Sequence, residues 1–189
     1  MKKHTQSDWV SDTAAEEMDS IGAMNIIRVG AGLVNQIIGL QDKTLCIGCG
    51  EGVELSFFSG STKGIDLNDA SLAKAKDAGY DVEKMDMHNL SFQDDSFDLV
   101  FSRDNFEHSV SHIQVISEMA RVSKRYVAIV LPTEDWQSSH WHYIIPNLRQ
   151  MISLGEKVGL QLKSLREYNI IVGSIAIGQS LYIFEKHNG

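Results

Sequence analysis

Thr44 to Gly52 reads TLCIGCGEG, a short β-prone run ending in glycines spaced G-x-G-x-G ahead of helix-forming residues. A turn of this kind brings main-chain N–H groups close to a nucleoside cofactor. Gly48 turns the chain out of the strand, Gly50 lets a ligand approach the backbone, and Gly52 lets the next helix pack close to the strand. Two carboxylates follow at even intervals, Asp66 in KGIDLN and Asp86 in KMDMHNL. Asp66, with Leu67 beside it, suits both hydroxyls of a ribose, because a charged acceptor makes the stronger hydrogen bonds. Its plainer role would be a helix N-cap. Asp86 suits the exocyclic amine of adenine, and Met87 offers the ring a soft apolar surface. Val53 after Gly52 breaks the G-x-G-x-x-G fingerprint of pyrophosphate-binding turns. The set therefore points to S-adenosylmethionine, which has no phosphate, rather than to a nicotinamide.

Other reactive side chains are open to plainer readings. Cys46 and Cys49 form C-x-x-C, the spacing of a redox pair or half of a zinc site. There is no second cysteine pair, and Cys46 lies within a strand, so loop and core roles are expected. His108 is the candidate general base, because imidazole titrates near neutrality; the alternative is a role at a helix start. His112 lies one helical turn further on, but the H-E-x-x-H glutamate is missing, so no metal site is expected. The segment PTEDWQSSHWHYIIP carries Trp136, His140, Trp141 and His142. With Asp104, these are the candidate contacts for an apolar or aromatic methyl acceptor. An ordinary amphipathic loop is the alternative.

The elements that must position these groups alternate. Residues 13–39 read as a helix with Ile26, Gly30, Leu33 and Ile37 on one face. Trp9 and this helix form a cap or lid over the cofactor, or simply a packing helix. Strands are expected at 44–47, 63–66, 81–85, 97–102, 126–131, 160–168 and 174–185. Helices are expected at 51–58, from Asn68 or Asp69 to Gly79, at 109–123 and at 145–158. Repeated strand–helix–strand units give a parallel sheet with helices on both faces. The last two strands have no helix between them, so the final one is expected to run antiparallel. A ligand then lies beyond the carboxyl ends of strands one and four, where the winding reverses.

At 189 residues the chain is long enough for one well-buried domain. Residues 1–40 are expected to form the helical cap and residues 41–189 the sheet core. Seventeen basic against 25 acidic residues give a net charge of −8 with no basic cluster, which argues against nucleic acid or an anionic membrane as partner. No secretory leader or membrane-length apolar run is apparent, so a cytoplasmic location is expected.

The stretch DMHNLSFQDDSFDLVFSRDNFEH resembles the class I S-adenosylmethionine-dependent methyltransferases, and most of all the small-molecule group that includes the quinone-biosynthesis enzymes. That group shows D-x-x-x-L-P-F-x-D-x-S-F-D, a strand, then L-E-H. Here Asp86, Leu90, Phe92, Asp94, Ser96, Phe97, Asp98, Glu107 and His108 stand in those places. SEMARVSK, Ser117 to Lys124, is similar to the family's helix before strand five. The resemblance implies a Rossmann-like α/β fold with seven strands in the order 3-2-1-4-5-7-6, strand seven antiparallel. It also implies cofactor roles for Gly48, Gly50, Asp66, Asp86 and Met87, with Ser102 and Arg103 at the methionine end. Two departures stand out. Cys46 occupies the family's usual acidic position, whose carboxylate helps hold the cofactor's amino group, and the proline–glycine turn before strand five is missing.

The expected activity is in-line methyl transfer to a small molecule, leaving S-adenosylhomocysteine. The alternatives are a non-catalytic S-adenosylmethionine-binding protein with a degenerate first motif and, more remotely, a nicotinamide oxidoreductase. Neither the acceptor nor the oligomeric state is encoded legibly.

Overall fold

The computed structural model describes residues 20–133, 144–172 and 175–187. Seven strands form one sheet in the order β3-β2-β1-β4-β5-β7-β6. They are β1 (Lys43–Ile47), β2 (Ser61–Asp66), β3 (Val82–Lys84), β4 (Phe97–Arg103), β5 (Ser123–Pro132), β6 (Leu160–Val172) and β7 (Ile175–Lys186). Strands β1 to β5 pair in parallel, and β7 runs antiparallel to both β5 and β6. This is the expected architecture. The helices are α1 (Ser20–Ile38), α2 (Asp69–Asp77), α3 (His112–Val122) and α4 (Leu148–Lys157).

Alternation along the strands builds a core on each face of the sheet. In β1, Leu45 and Ile47 point one way, joining Val127, Ile129 and Leu131 of β5 beneath Ile116 and Met119 of α3. Cys46 points the other way, joining Leu99, Phe101 and Ala128 beneath Ala31 and Val34 of α1 and Leu72 and Ala75 of α2. Both faces of the central strands are thus covered, which explains their near-continuous apolar sequence.

Several boundaries differ from the sequence reading. The helix expected over 51–58 is a single 3-10 segment, Val53–Phe57. Gly52 enters it at φ 85° and Phe58 leaves it extended, so the helical run is five residues long. Asn68, not Asp66, caps α2 by accepting the Ser71 N–H at 3.0 Å. A 3-10 turn, Phe106–His108, precedes α3, which therefore starts later than expected. Asn147 and Gln150 form a reciprocal capping box that sets the start of α4. Residues 13–19 and Trp9 lie outside the described residues. The missing proline–glycine turn is replaced by a bulge: Phe97 pairs with Ser123, but Leu99 pairs with Tyr126.

The loop between β3 and β4 is held by one side chain. Arg121 of α3 donates to the carbonyls of Leu90 and Phe92, each at 2.7 Å, and to Asp94 at 2.9 Å, while Glu118 pairs with it and accepts the Leu90 N–H at 2.7 Å. The residues that carry the resemblance before β4 and in α3 thus form one network.

Candidate functional site

Strand order reverses between β1 and β4, and a cleft opens there at the carboxyl ends of β1 and β2. Its apolar wall is Ile47, Ile65, Leu67, Met85 and Met87; Gly48, Asp66 and Asn105 supply the polar side. Of the expected cofactor residues, Gly48, Asp66, Leu67 and Met87 line this cleft together.

The glycine loop is held from below by Asp66. One carboxylate oxygen accepts the Gly50 N–H and the other the Asn68 N–H, both at 2.8 Å. Each oxygen keeps a second lone-pair direction for a ligand hydroxyl. Gly50 has φ 51°, and a Cβ there would meet nothing within 4 Å, so this part of the loop is open to an approaching group. Gly52 packs beneath Tyr80 and Ala75, against α2 and the turn after it, and not against the strand as expected.

Above Gly48 stands Asn105. A Cβ on Gly48 would lie 2.1 Å from the Asn105 carboxamide. That amide donates to the carbonyls of Gly48, at 3.2 Å, and Arg103, at 2.5 Å. The cleft is correspondingly narrow, with room for about 30 Å³.

Asp86 follows β3 with its side chain 47% exposed. One of its oxygens accepts the His88 N–H at 2.9 Å and lies 2.7 Å from His88 Nδ1, while His88 Nε2 is 3.0 Å from Ser109 Oγ. His88 thus ties the carboxylate to the loop after β4. Ser102 is buried within the sheet, opposite Ile47 and Ile129. Arg103 is committed to ion pairs with Glu54 and, at 2.5 Å, Asp104. His108 ends the 3-10 turn, buried, with Nε2 3.9 Å from Glu107. His112 is stacked on Phe106 with ring centroids 4.9 Å apart, and burial lowers its pKa. Trp136, His140, Trp141 and His142 lie outside the described residues. No cluster of three or more potential ligands able to hold a metal occurs among the described residues.

Cys46 and Cys49 are free and buried. Burial and then the Glu54 charge push the Cys46 thiol well above its ordinary range, and burial pushes Cys49 up to about 12. Both are neutral core groups, without the thiolate character that redox or zinc chemistry needs. Asn105, His88 and Glu54 were not singled out from sequence, and Glu107 only as part of the family resemblance. The acid within VELSF, an otherwise apolar run, was the available sign for Glu54.

Beyond the end of β5 lies a larger cavity of about 600 Å³, lined by Leu131, Thr133, Asn147, Arg149, Glu167 and Tyr182 among others. No described helix is long and apolar enough to cross a membrane.

Comparison with known proteins agrees with this geometry. Residues 45–131 match the family described as methyltransferase domain. Among curated proteins, none matches the sequence. Similar solved structures include a Haloferax volcanii protein crystallised with the Trm112 methyltransferase activator, with 16% identity, TM-score 0.75, and coverage of 95% of this chain and 96% of that one. YcgJ of Bacillus subtilis has 16% identity and TM-score 0.73, covering 85% of this chain and 99% of that one. Magnesium protoporphyrin IX methyltransferase of Synechocystis, solved with bound S-adenosylhomocysteine, has 13% identity and TM-score 0.68, covering 88% and 84%. Residues 45–131 thus match a methyltransferase domain, and the sheet order agrees with the fold that the resemblance to class I S-adenosylmethionine-dependent methyltransferases implied.

Proposed function

We propose that this chain transfers a methyl group to a small molecule, with the cofactor held in the cleft between the glycine loop and Asp66. The observation that carries this reading is the convergence, where the sheet winding reverses, of an open Gly50, a rim carboxylate and an apolar wall of Met85 and Met87. When bound, S-adenosylmethionine supplies an electrophilic methyl on a sulfonium; the chain supplies position.

Asp66 accepts hydrogen bonds from the ribose diol, and its two backbone bonds keep its carboxylate preorganised. Asp86, held from one side by His88, presents its other oxygen to the adenine amine. Leu67 and Met87 flank the ring. The carbonyls of Gly48 and Arg103 receive the ammonium of the methionine tail once Asn105 swings aside, because its amide already fills both acceptors. Gly52 and Ser102 act indirectly, as packing beneath the loop and within β4. His108 takes the acceptor's proton where the reaction releases one, a role worth roughly 10²–10⁴-fold. Asp104, Trp136, His140, Trp141 and His142 are the candidate contacts of the acceptor, and the cavity beyond β5 supports room for it. Aligned positioning alone contributes up to about 7–11 kcal/mol to such a displacement.

Incubation of the chain with methyl-labelled S-adenosylmethionine and a metabolite extract tests the activity. Label appearing in a low-molecular-weight product is expected. Cofactor binding without any transfer would favour a non-catalytic binding protein.

A further inference from the structure

The cavity beyond β5 carries polar groups that the placing of the cofactor leaves unused. Its apolar wall is Leu131, Ile145 and Tyr182, all buried. The start of α4 forms another side, since Asn147, Leu148 and Arg149 also line it. Reciprocal capping satisfies the Asn147 and Gln150 N–H groups. The Leu148 and Arg149 N–H groups, in the first turn, have no acceptor within the helix and meet none elsewhere among the described residues. The Arg149 guanidinium is exposed and pairs with no described acid. Ser180 of β7 lines the same cavity at only 7% exposure, yet its hydroxyl has no hydrogen-bond partner among the described residues. A buried hydroxyl left unpaired on a cavity wall is a place for a ligand atom.

Two amides at a helix start, a guanidinium and a hydroxyl are all donors, so together they suit an anion. Glu167 is the other charged residue among the described ones lining the cavity; it too is exposed and without a described ionic partner. Its negative charge opposes a second charge on the ligand, so a carboxylate fits better than a phosphate dianion. A volume of about 600 Å³ holds a small organic molecule, and the apolar wall suits its body.

We infer that this cavity binds a small monocarboxylate with an apolar body, and that the methyl acceptor belongs to that class. The second part rests on the methyltransferase reading; the first does not.

Calorimetric titration with phenylacetate, and with phenethyl alcohol as its uncharged counterpart, tests the cavity in the absence of cofactor. The native chain is expected to bind the acid at least about tenfold more tightly than the alcohol. Arg149→Gln is expected to lose about tenfold in affinity for the acid and Ser180→Ala about fivefold, while Glu167→Gln binds it more tightly. Both losses are read on folded protein, because Arg149 is exposed and the Ser180 hydroxyl pairs with nothing. Arg166→Gln removes the same charge from β6 outside the cavity and is expected to leave both affinities unchanged. Equal affinity of the native chain for acid and alcohol, no binding of either, or an equal loss in Arg149→Gln and Arg166→Gln overturns the inference. Phenylacetate is then added to the incubation with labelled S-adenosylmethionine and metabolite extract. Suppression of labelling by the acid but not the alcohol, weaker in Arg149→Gln, supports a carboxylate acceptor. Acid binding that leaves labelling untouched overturns that assignment. Absence of both labelling and S-adenosylhomocysteine binding would instead sink the methyltransferase reading, while the titrations still decide the cavity.

Discussion

At Gly48 the backbone is left-handed at φ 68°, and the space a side chain would need is filled by the Asn105 carboxamide. Gly48→Ala therefore adds a clash to backbone strain of roughly 1–2 kcal/mol, whereas Gly50→Ala meets no atom and carries only the strain. In urea denaturation Gly48→Ala is expected to be the less stable by at least about 1 kcal/mol, and Asn105→Ala in that background to recover most of the difference. Equal destabilisation of the two would contradict the close approach. Asn105→Ala alone is expected to tighten S-adenosylhomocysteine by about fivefold or more, because the ligand no longer displaces the two hydrogen bonds of the Asn105 amide. The glycines were legible in the sequence because a positive φ restricts residue type. Asn105 was not, because its role depends on β4 lying beside β1, a pairing no local pattern encodes. Glu107 carries a separate prediction. Between the ordinary carboxyl range and its raised pKa, the folded chain keeps a proton that the unfolded chain has released. Stability therefore falls as pH rises through that window. Glu107→Gln removes this fall, so its stability relative to the native chain should be greater at about pH 8 than at about pH 5. A pH-independent difference would contradict it.

At the scale of elements, the loop before β4 depends on α3. Arg121→Ala removes bonds to the Leu90 and Phe92 carbonyls and leaves Glu118 without its cation. A loss of about 2–3 kcal/mol is expected in denaturation, with faster hydrogen exchange at the Leu90 amide, which Glu118 holds. Unchanged exchange there would show that the loop holds its shape without Arg121. Strands β1, β4 and β5 could be read directly from buried apolar runs, and the antiparallel β7 from the lack of a helix between the last two strands. The 3-10 segment after the glycine loop could not. Residues 51–58 have helical composition, but the left-handed Gly52 sets their entry, and tertiary packing under Tyr80 decides the rest. Cys46 shows a related limit. Its position in the family pattern suggested a lost ligand contact, yet the thiol is fully buried on the α1 face. A carboxylate lies close by in space, at Glu54, which comes from the next element in the chain.

For the whole molecule, a seven-stranded sheet covered on both faces brings four of the nine expected cofactor residues, Gly48, Asp66, Leu67 and Met87, to one cleft across a sequence separation no motif spans. A ligand that binds only the folded chain must raise its stability, by about 2.7 kcal/mol at a hundredfold excess over Kd. S-adenosylhomocysteine is expected to raise Tm in a concentration-dependent way, and NAD to leave it unchanged. The most direct measurement is a crystal soaked with S-adenosylhomocysteine. The account predicts density with the ribose on Asp66, the adenine between Leu67 and Met87, and the Asn105 side chain turned away from Gly48. Density for the nucleoside at any other place, or a cleft still closed by Asn105 at saturating ligand, would contradict it.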